Sequence, residues 1–163
     1  MALKHILKLT TQEAILKCYI TATGGGSIDI SLEELTNDTE VYVPGTSDAP
    51  ETDGHYAIYQ GSRVYITGIW WGCKNGKQLD ITRILDTTPN PDVVHGHYYL
   101  NGTGSYDYTG AGGFYDRVYA NKPIRLTFDG EGHCIIRLRK EGWNSKLETA
   151  EFSVYDNTSV VGS

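Results

Sequence analysis

The side chains best equipped for chemistry in this 163-residue chain are its histidines and cysteines. His95-Gly96-His97 sets two imidazoles at i and i+2, a spacing that shares one face of a strand, and His55, His133, Cys73 and Cys134 lie elsewhere. A structural zinc site needs four ligands at characteristic spacings, and only the histidine pair has one. No C-x-x-C pair occurs, so no metal site is expected. His133 directly precedes Cys134, but adjacent strand residues point to opposite faces, which denies the thiol a base. The sequence holds no G-x-S-x-G elbow, phosphate-binding loop or dinucleotide fingerprint. Gly24-Gly25-Gly26 is followed by no helical pattern carrying Lys and Ser or Thr, so it reads as a turn. Asp48, Glu51, Asp53, Asp92, Asp107 and Asp116 are numerous enough for a glycosidase pair, yet solvation explains them more simply. The expectation is a non-enzyme with no catalytic residues and no cofactor.

Recognition by aromatic rings is the other available chemistry, and it is concentrated between Val93 and Tyr119. Tyr98, Tyr99, Tyr106, Tyr108, Phe114 and Tyr115 stand there among glycines. Such rings stack on sugar faces or anchor protein interfaces, because they bring large apolar area with few rotors to freeze. Alternatively they cover the edge of a core with their hydroxyls in water. These six are the candidates for binding a partner protein or a glycan.

The elements that would position them read as strands. Gly61 to Leu85 contains two β-rich arms around Asn75-Gly76, a signal for a primed hairpin turn. In the first arm Val64, Ile66, Gly68 and Trp70 share one face, and Tyr65, Thr67, Ile69 and Trp71 share the other. The second arm sets Leu79, Ile81, Arg83 and Leu85 against Asp80, Thr82 and Ile84. Pro123 to Leu138 reads as a second hairpin, with Leu126 and Phe128 inward, a turn at Asp129 to Gly132, then Cys134, Ile136 and Leu138. The core is thus expected to hold Val64, Ile66, Trp70, Leu79, Ile81, Leu126, Phe128, Ile136 and Leu138. Thr11 to Thr23 alternates cleanly, Ser27 to Leu32 resumes after the glycines, and Leu147 to Tyr155 supplies a last strand. Glu33 to Thr39 has room for one helical turn, and Val41 to Pro44 for a short strand. Ala2 to Leu9 is an edge strand or a docking arm (residues 1–10), and residues 93–119 form a Tyr/Gly-rich excursion.

Composition supports this picture. Nineteen Gly and twelve Tyr beside one Met suit short strands joined by tight turns. The chain is long enough for one well-filled core and short for two, so a single domain over residues 1–163 is expected. About eight to ten short strands with little helix favour an all-β antiparallel sandwich, jelly-roll or immunoglobulin-like. A net charge of −6 argues against nucleic acid as the main ligand. Arg137-Leu138-Arg139-Lys140, the densest basic run, reads as the wet face of a strand. Three widely spaced cysteines form no disulfide framework and suggest reduced thiols, two of them buried. Met1 to Leu9 lacks the features of a signal peptide and no stretch approaches a membrane span, so neither classical secretion nor membrane insertion is expected.

Three segments carry a family resemblance: Val64 to Cys73 with Gly76 to Arg83, Ile124 to Trp143, and Leu16 to Ile20. They resemble small β-sandwich structural proteins of tailed bacteriophages, particularly cyanophage-like myoviruses. The resemblance covers about half of the chain, and the tyrosine-glycine stretch falls outside its pattern. It implies a virion component, a head decoration, neck or tail protein, that binds other virion subunits as a homo-oligomer or on a lattice. A carbohydrate-binding module or receptor-binding tip is the alternative, with the tyrosines stacking on glycan.

Overall fold

The computed structural model describes residues 1–45, 61–88, 91–108 and 119–146. Eleven strands are formed among them: β1 (Ala2–Leu9), β2 (Glu13–Ile20), β3 (Gly26–Ile30), β4 (Glu40–Val41), β5 (Arg63–Cys73), β6 (Gln78–Asp86), β7 (Val93–Asn101), β8 (Thr103–Asp107), β9 (Ile124–Phe128), β10 (Gly132–Glu141) and β11 (Asn144–Ser145). One 3₁₀ turn, Glu33–Leu35, occupies the place where a helical turn was expected. The chain is an all-β antiparallel sandwich. The strand expected at Leu147 to Tyr155, and the candidates Phe114 and Tyr115, lie outside the described residues.

One sheet has the order β1-β2-β10-β5-β8 and faces a second with the order β3-β9-β6-β7; β4 and β11 form a small separate pair. Every pairing is antiparallel. Set aside β1 and name the other long strands B to I in chain order. The sheets then read B-I-D-G and C-H-E-F, the double Greek key of a jelly roll. That order decides between the two sandwich topologies left open by the strand pattern.

The order also overturns both expected hairpins. β5 and β6 belong to different sheets, as do β9 and β10, so each pair is an arch across the core rather than a hairpin. The turn chemistry explains the first arch. Lys77 N donates to Lys74 O (2.9 Å), and only Gly76 of the two central residues has positive φ, at 77°. Positive φ at the second central residue alone describes a type II turn, whose twist splays flanking strands; a primed turn would pair them.

A bulge in β5 makes the second correction. Ile66 faces Leu138 and Gly68 faces Arg137, so Thr67 is an extra residue. Beyond it the inward face passes to Ile69 and Trp71, both buried, while Trp70 moves outward and is half-buried. A one-residue insertion reverses every later side chain, which is why simple alternation put Trp70 in the core. Arg137 holds the bulge closed: its Nε donates to Thr67 Oγ1 (3.1 Å) and its Nη2 to Thr67 O (2.9 Å).

Val64, Ile66, Leu79, Ile81, Leu126, Phe128, Ile136 and Leu138 are buried between the sheets with Leu16, Cys18, Ile28, Ile30 and Cys134. Three charged residues, Arg83, Lys140 and Glu40, are buried as well. Arg83 spans the sandwich from β6, donating to Lys122 O and to Val64 O of the opposite sheet, each at 2.8 Å. Lys140 turns inward from the basic run expected to be wet; it ion-pairs with buried Glu40, donates to Thr10 O (2.9 Å) and lies 4.8 Å from the Trp143 ring. Arg137 is half-buried and Arg139 exposed on the outer face.

Candidate functional site: the aromatic flank

Because β7 and β8 are successive strands in opposite sheets, the bend at Gly102 closes one flank of the sandwich. Gly102 has φ 61°, which lets the chain reverse between sheets within one residue. Trp71 braces the bend, its indole N–H donating to Asn101 O at 3.0 Å. The same ring lies flat on Gly104 of β8, where an added Cβ would meet its Cζ2 at 2.6 Å.

Three candidate tyrosines converge on this corner. Tyr106 of β8 packs on Trp71, with ring centroids 5.4 Å apart, and lies parallel to Tyr108 at 6.1 Å and 12°. Tyr98 of β7 closes the triangle at 6.2 Å from Tyr106 and 6.5 Å from Tyr108, and the Tyr108 hydroxyl donates to the Tyr98 hydroxyl at 3.0 Å. Tyr98 packs against the core, Tyr108 is half-buried, and Tyr106 is 46% exposed. The cluster therefore does both things weighed for it: it seals the edge of the core and presents one ring to solvent.

Tyr99 is separate. It points to the outer face of β7, 69% exposed, with its ring over Gly96. Val93 and Val94 are also exposed on β7, so this strand carries further apolar surface. The glycine-aromatic composition has a packing origin that alternation alone could not show: Gly96 lies under Tyr99, Gly104 under Trp71, Gly68 under Trp70 and Gly72 under His133. Each glycine clears the space that a flat ring fills, the device by which aromatic rings compensate strand glycines.

The other chemistry-bearing residues are dispersed. His95 and His97 stand 6.0 Å apart by ring centroid, but among the described residues no group of three metal-ligating side chains forms. Cys134 is buried while His133 is exposed on the opposite face. All three cysteines are free thiols; burial pushes Cys18 up to about 12 and raises Cys134 and Cys73 as well. Asp92 pairs with Arg125 (3.0 Å) and Asp107 with Arg137 (2.7 Å), so both carboxylates are engaged in surface ion pairs. Asp48, Glu51, Asp53, Asp116 and His55 lie outside the described residues.

No protein-family model matches this sequence, and no curated protein matches it.

Proposed function

We propose that this chain is a structural or accessory protein of a tailed-phage virion, placed in the head, neck or tail, that acts by binding other virion subunits. The observation that carries the reading is the β7–β8 flank. It holds exposed Tyr106 on β8 over a braced Tyr98–Tyr108–Trp71 base and exposed Tyr99, Val93 and Val94 on β7, and both strands are sheet edges among the described residues. Rigid aromatic surface that is already ordered loses little entropy on binding, which favours a protein interface. Jelly rolls occur in viral capsids and in lectins, so the architecture suits this reading without selecting it. On this reading the chain works in many copies and requires no cofactor or reaction.

The test is incorporation. A Tyr106→Ala, Tyr108→Ala double variant that folds normally should be lost from assembled particles. Particles that carry it at the unaltered level would remove this flank as the assembly contact.

A glycan-binding reading has one observation of its own, the parallel Tyr106 and Tyr108 rings with Tyr106 exposed. A sugar ring stacks on such a face through its C–H surface. Saturable binding on a glycan array, lost on Tyr106→Ala, would favour it over the purely structural role.

A further inference from the structure

The opposite flank ends in β1, and among the described residues nothing pairs with its outer side. Open edges recruit further strands, and lysine charge is a common guard against this. Here part of that charge is offset within the molecule. Lys4 ion-pairs with Glu34 and donates to Asp29 O (2.8 Å), and Lys8 pairs with Glu13 at 2.8 Å. Ile6 and Leu7 meanwhile stand 44% and 56% exposed. The register shift between Ile6 and Lys8 falls beyond the straight run from Ala2 to Ile6.

Backbone parity limits what fits on this edge. Thr21 N donates to Met1 O (2.9 Å), and Ala2 faces Ile20 in the ladder. Hydrogen-bonded and non-bonded pairs alternate, so Met1, Leu3 and His5 turn toward β2, while Ala2, Lys4 and Ile6 turn their N–H and C=O outward. A second copy of β1 laid antiparallel must match even residues with even. A two-fold axis at Lys4 sets that lysine against its own copy, and an axis at Ile6 carries the ladder into the bulge, beyond which Lys8 faces Ile15 and turns its N–H and C=O toward β2. Like charges directly opposite are destabilising. An axis at His5 keeps to the straight run and opposes no lysines: Lys4 faces Ile6, so exposed Ile6 is covered.

We propose that the chain pairs with a second copy of itself through β1, joining the two five-stranded sheets edge to edge across a two-fold axis at His5. The contact is isologous, and its affinity comes from main-chain hydrogen bonds of the β-augmentation type. It names one partner for the subunit-binding reading above and rests on that reading for its biological setting.

Sedimentation equilibrium of the full chain, with Ile6→Pro and Ile6→Lys beside it, tests the pairing. Ile6 turns its N–H away from β2, so proline removes a donor from the outer edge while sparing the β1–β2 ladder. Ile6→Lys would face Lys4 of the second copy. The unaltered chain should be a dimer, weakened about tenfold or more in both variants, with unchanged circular dichroism. In a Cys73→Ser background, His5→Cys should form disulfide-linked dimers on mild oxidation, because non-bonded antiparallel pairs hold Cα atoms about 4.5 Å apart, within disulfide range. Lys8→Cys should not, because it lies beyond the bulge with its backbone turned toward β2. A monomer at every concentration overturns the proposal, as does a dimer indifferent to both Ile6 variants and not cross-linked by His5→Cys. A monomer that still enters virions would overturn the β1 contact alone. A β1 dimer absent from virions would overturn the virion reading alone.

Discussion

The indole N–H of Trp71 donates to the carbonyl oxygen of Asn101 at 3.0 Å, tying central strand β5 to the bend between β7 and β8. Trp70, its neighbour in sequence, lies instead on Gly68 at the outer surface, with the Arg137 guanidinium 5.2 Å from its ring centroid. Trp71→Ala should therefore cost about 3–5 kcal/mol, the range for a large buried aromatic. Trp70→Ala should cost only about 1–2 kcal/mol, from partial burial and one cation–π contact. Denaturant unfolding of both variants checks the ordering, and equal losses would contradict the bulge at Thr67.

Gly104 should resist substitution although β8 is an edge strand among the described residues. An alanine Cβ there would meet Trp71 Cζ2 at 2.6 Å, closer than packed atoms allow. Gly104→Ala should lower stability by about 1–3 kcal/mol, the usual cost of overpacking. Gly24→Ala, with nothing within 4 Å of its Cβ, is the control and should be nearly neutral by the same measurement.

The Lys140–Glu40 pair joins β10 to β4 at the end of the core. Lys140→Met alone should cost about 3–5 kcal/mol, because it strands a buried carboxylate, whereas adding Glu40→Leu should recover most of the loss. A pH signature accompanies the pair. Burial, opposed by Glu40, lowers Lys140 below its usual 10.5. Between the lowered value and 10.5 the unfolded chain binds a proton that the native chain lacks, so this group makes stability rise with pH in that window. The difference in unfolding free energy between the unaltered chain and Lys140→Met should widen accordingly as pH climbs toward 10.5.

The thiols should separate cleanly. Cys73 is half-buried at the end of β5, while Cys18 and Cys134 are fully buried with their thiols raised by desolvation. Only thiolate reacts readily, so a thiol reagent at neutral pH should modify Cys73 in the native protein and the other two only on unfolding. Loss of the native signal in Cys73→Ser confirms the assignment. Rapid native labelling of Cys18 would show that β2 opens locally.

Much of the fold was legible along the chain because strand alternation is a local signal. Leu79 and Ile81, or Ile136 and Leu138, sit two apart and face one core, so their burial follows from the pleat. The jelly-roll order did not follow. Alternation records which face a residue takes and carries nothing about which strand lies beside it. Asn75-Gly76 looked like the apex of a hairpin, but the type II turn there sends β6 across to the other sheet.

The aromatic flank shows the same division. The density of tyrosine and glycine after Val93 marked the stretch, and the structure brings Tyr98, Tyr106 and Tyr108 together while leaving Tyr99 on the outer face. The sequence by itself determined an all-β chain, its strand faces and a concentration of aromatic rings, because these depend on residues a few positions apart. Tertiary structure alone decided the arches, the reversal of Trp70 and Trp71 and the burial of Lys140 and Arg83. Each depends on contacts between segments distant in sequence: one extra residue measured against β10, a turn resolved by closing two sheets, and charges whose partners, Val64 O for Arg83 and Glu40 for Lys140, come from elsewhere in the chain.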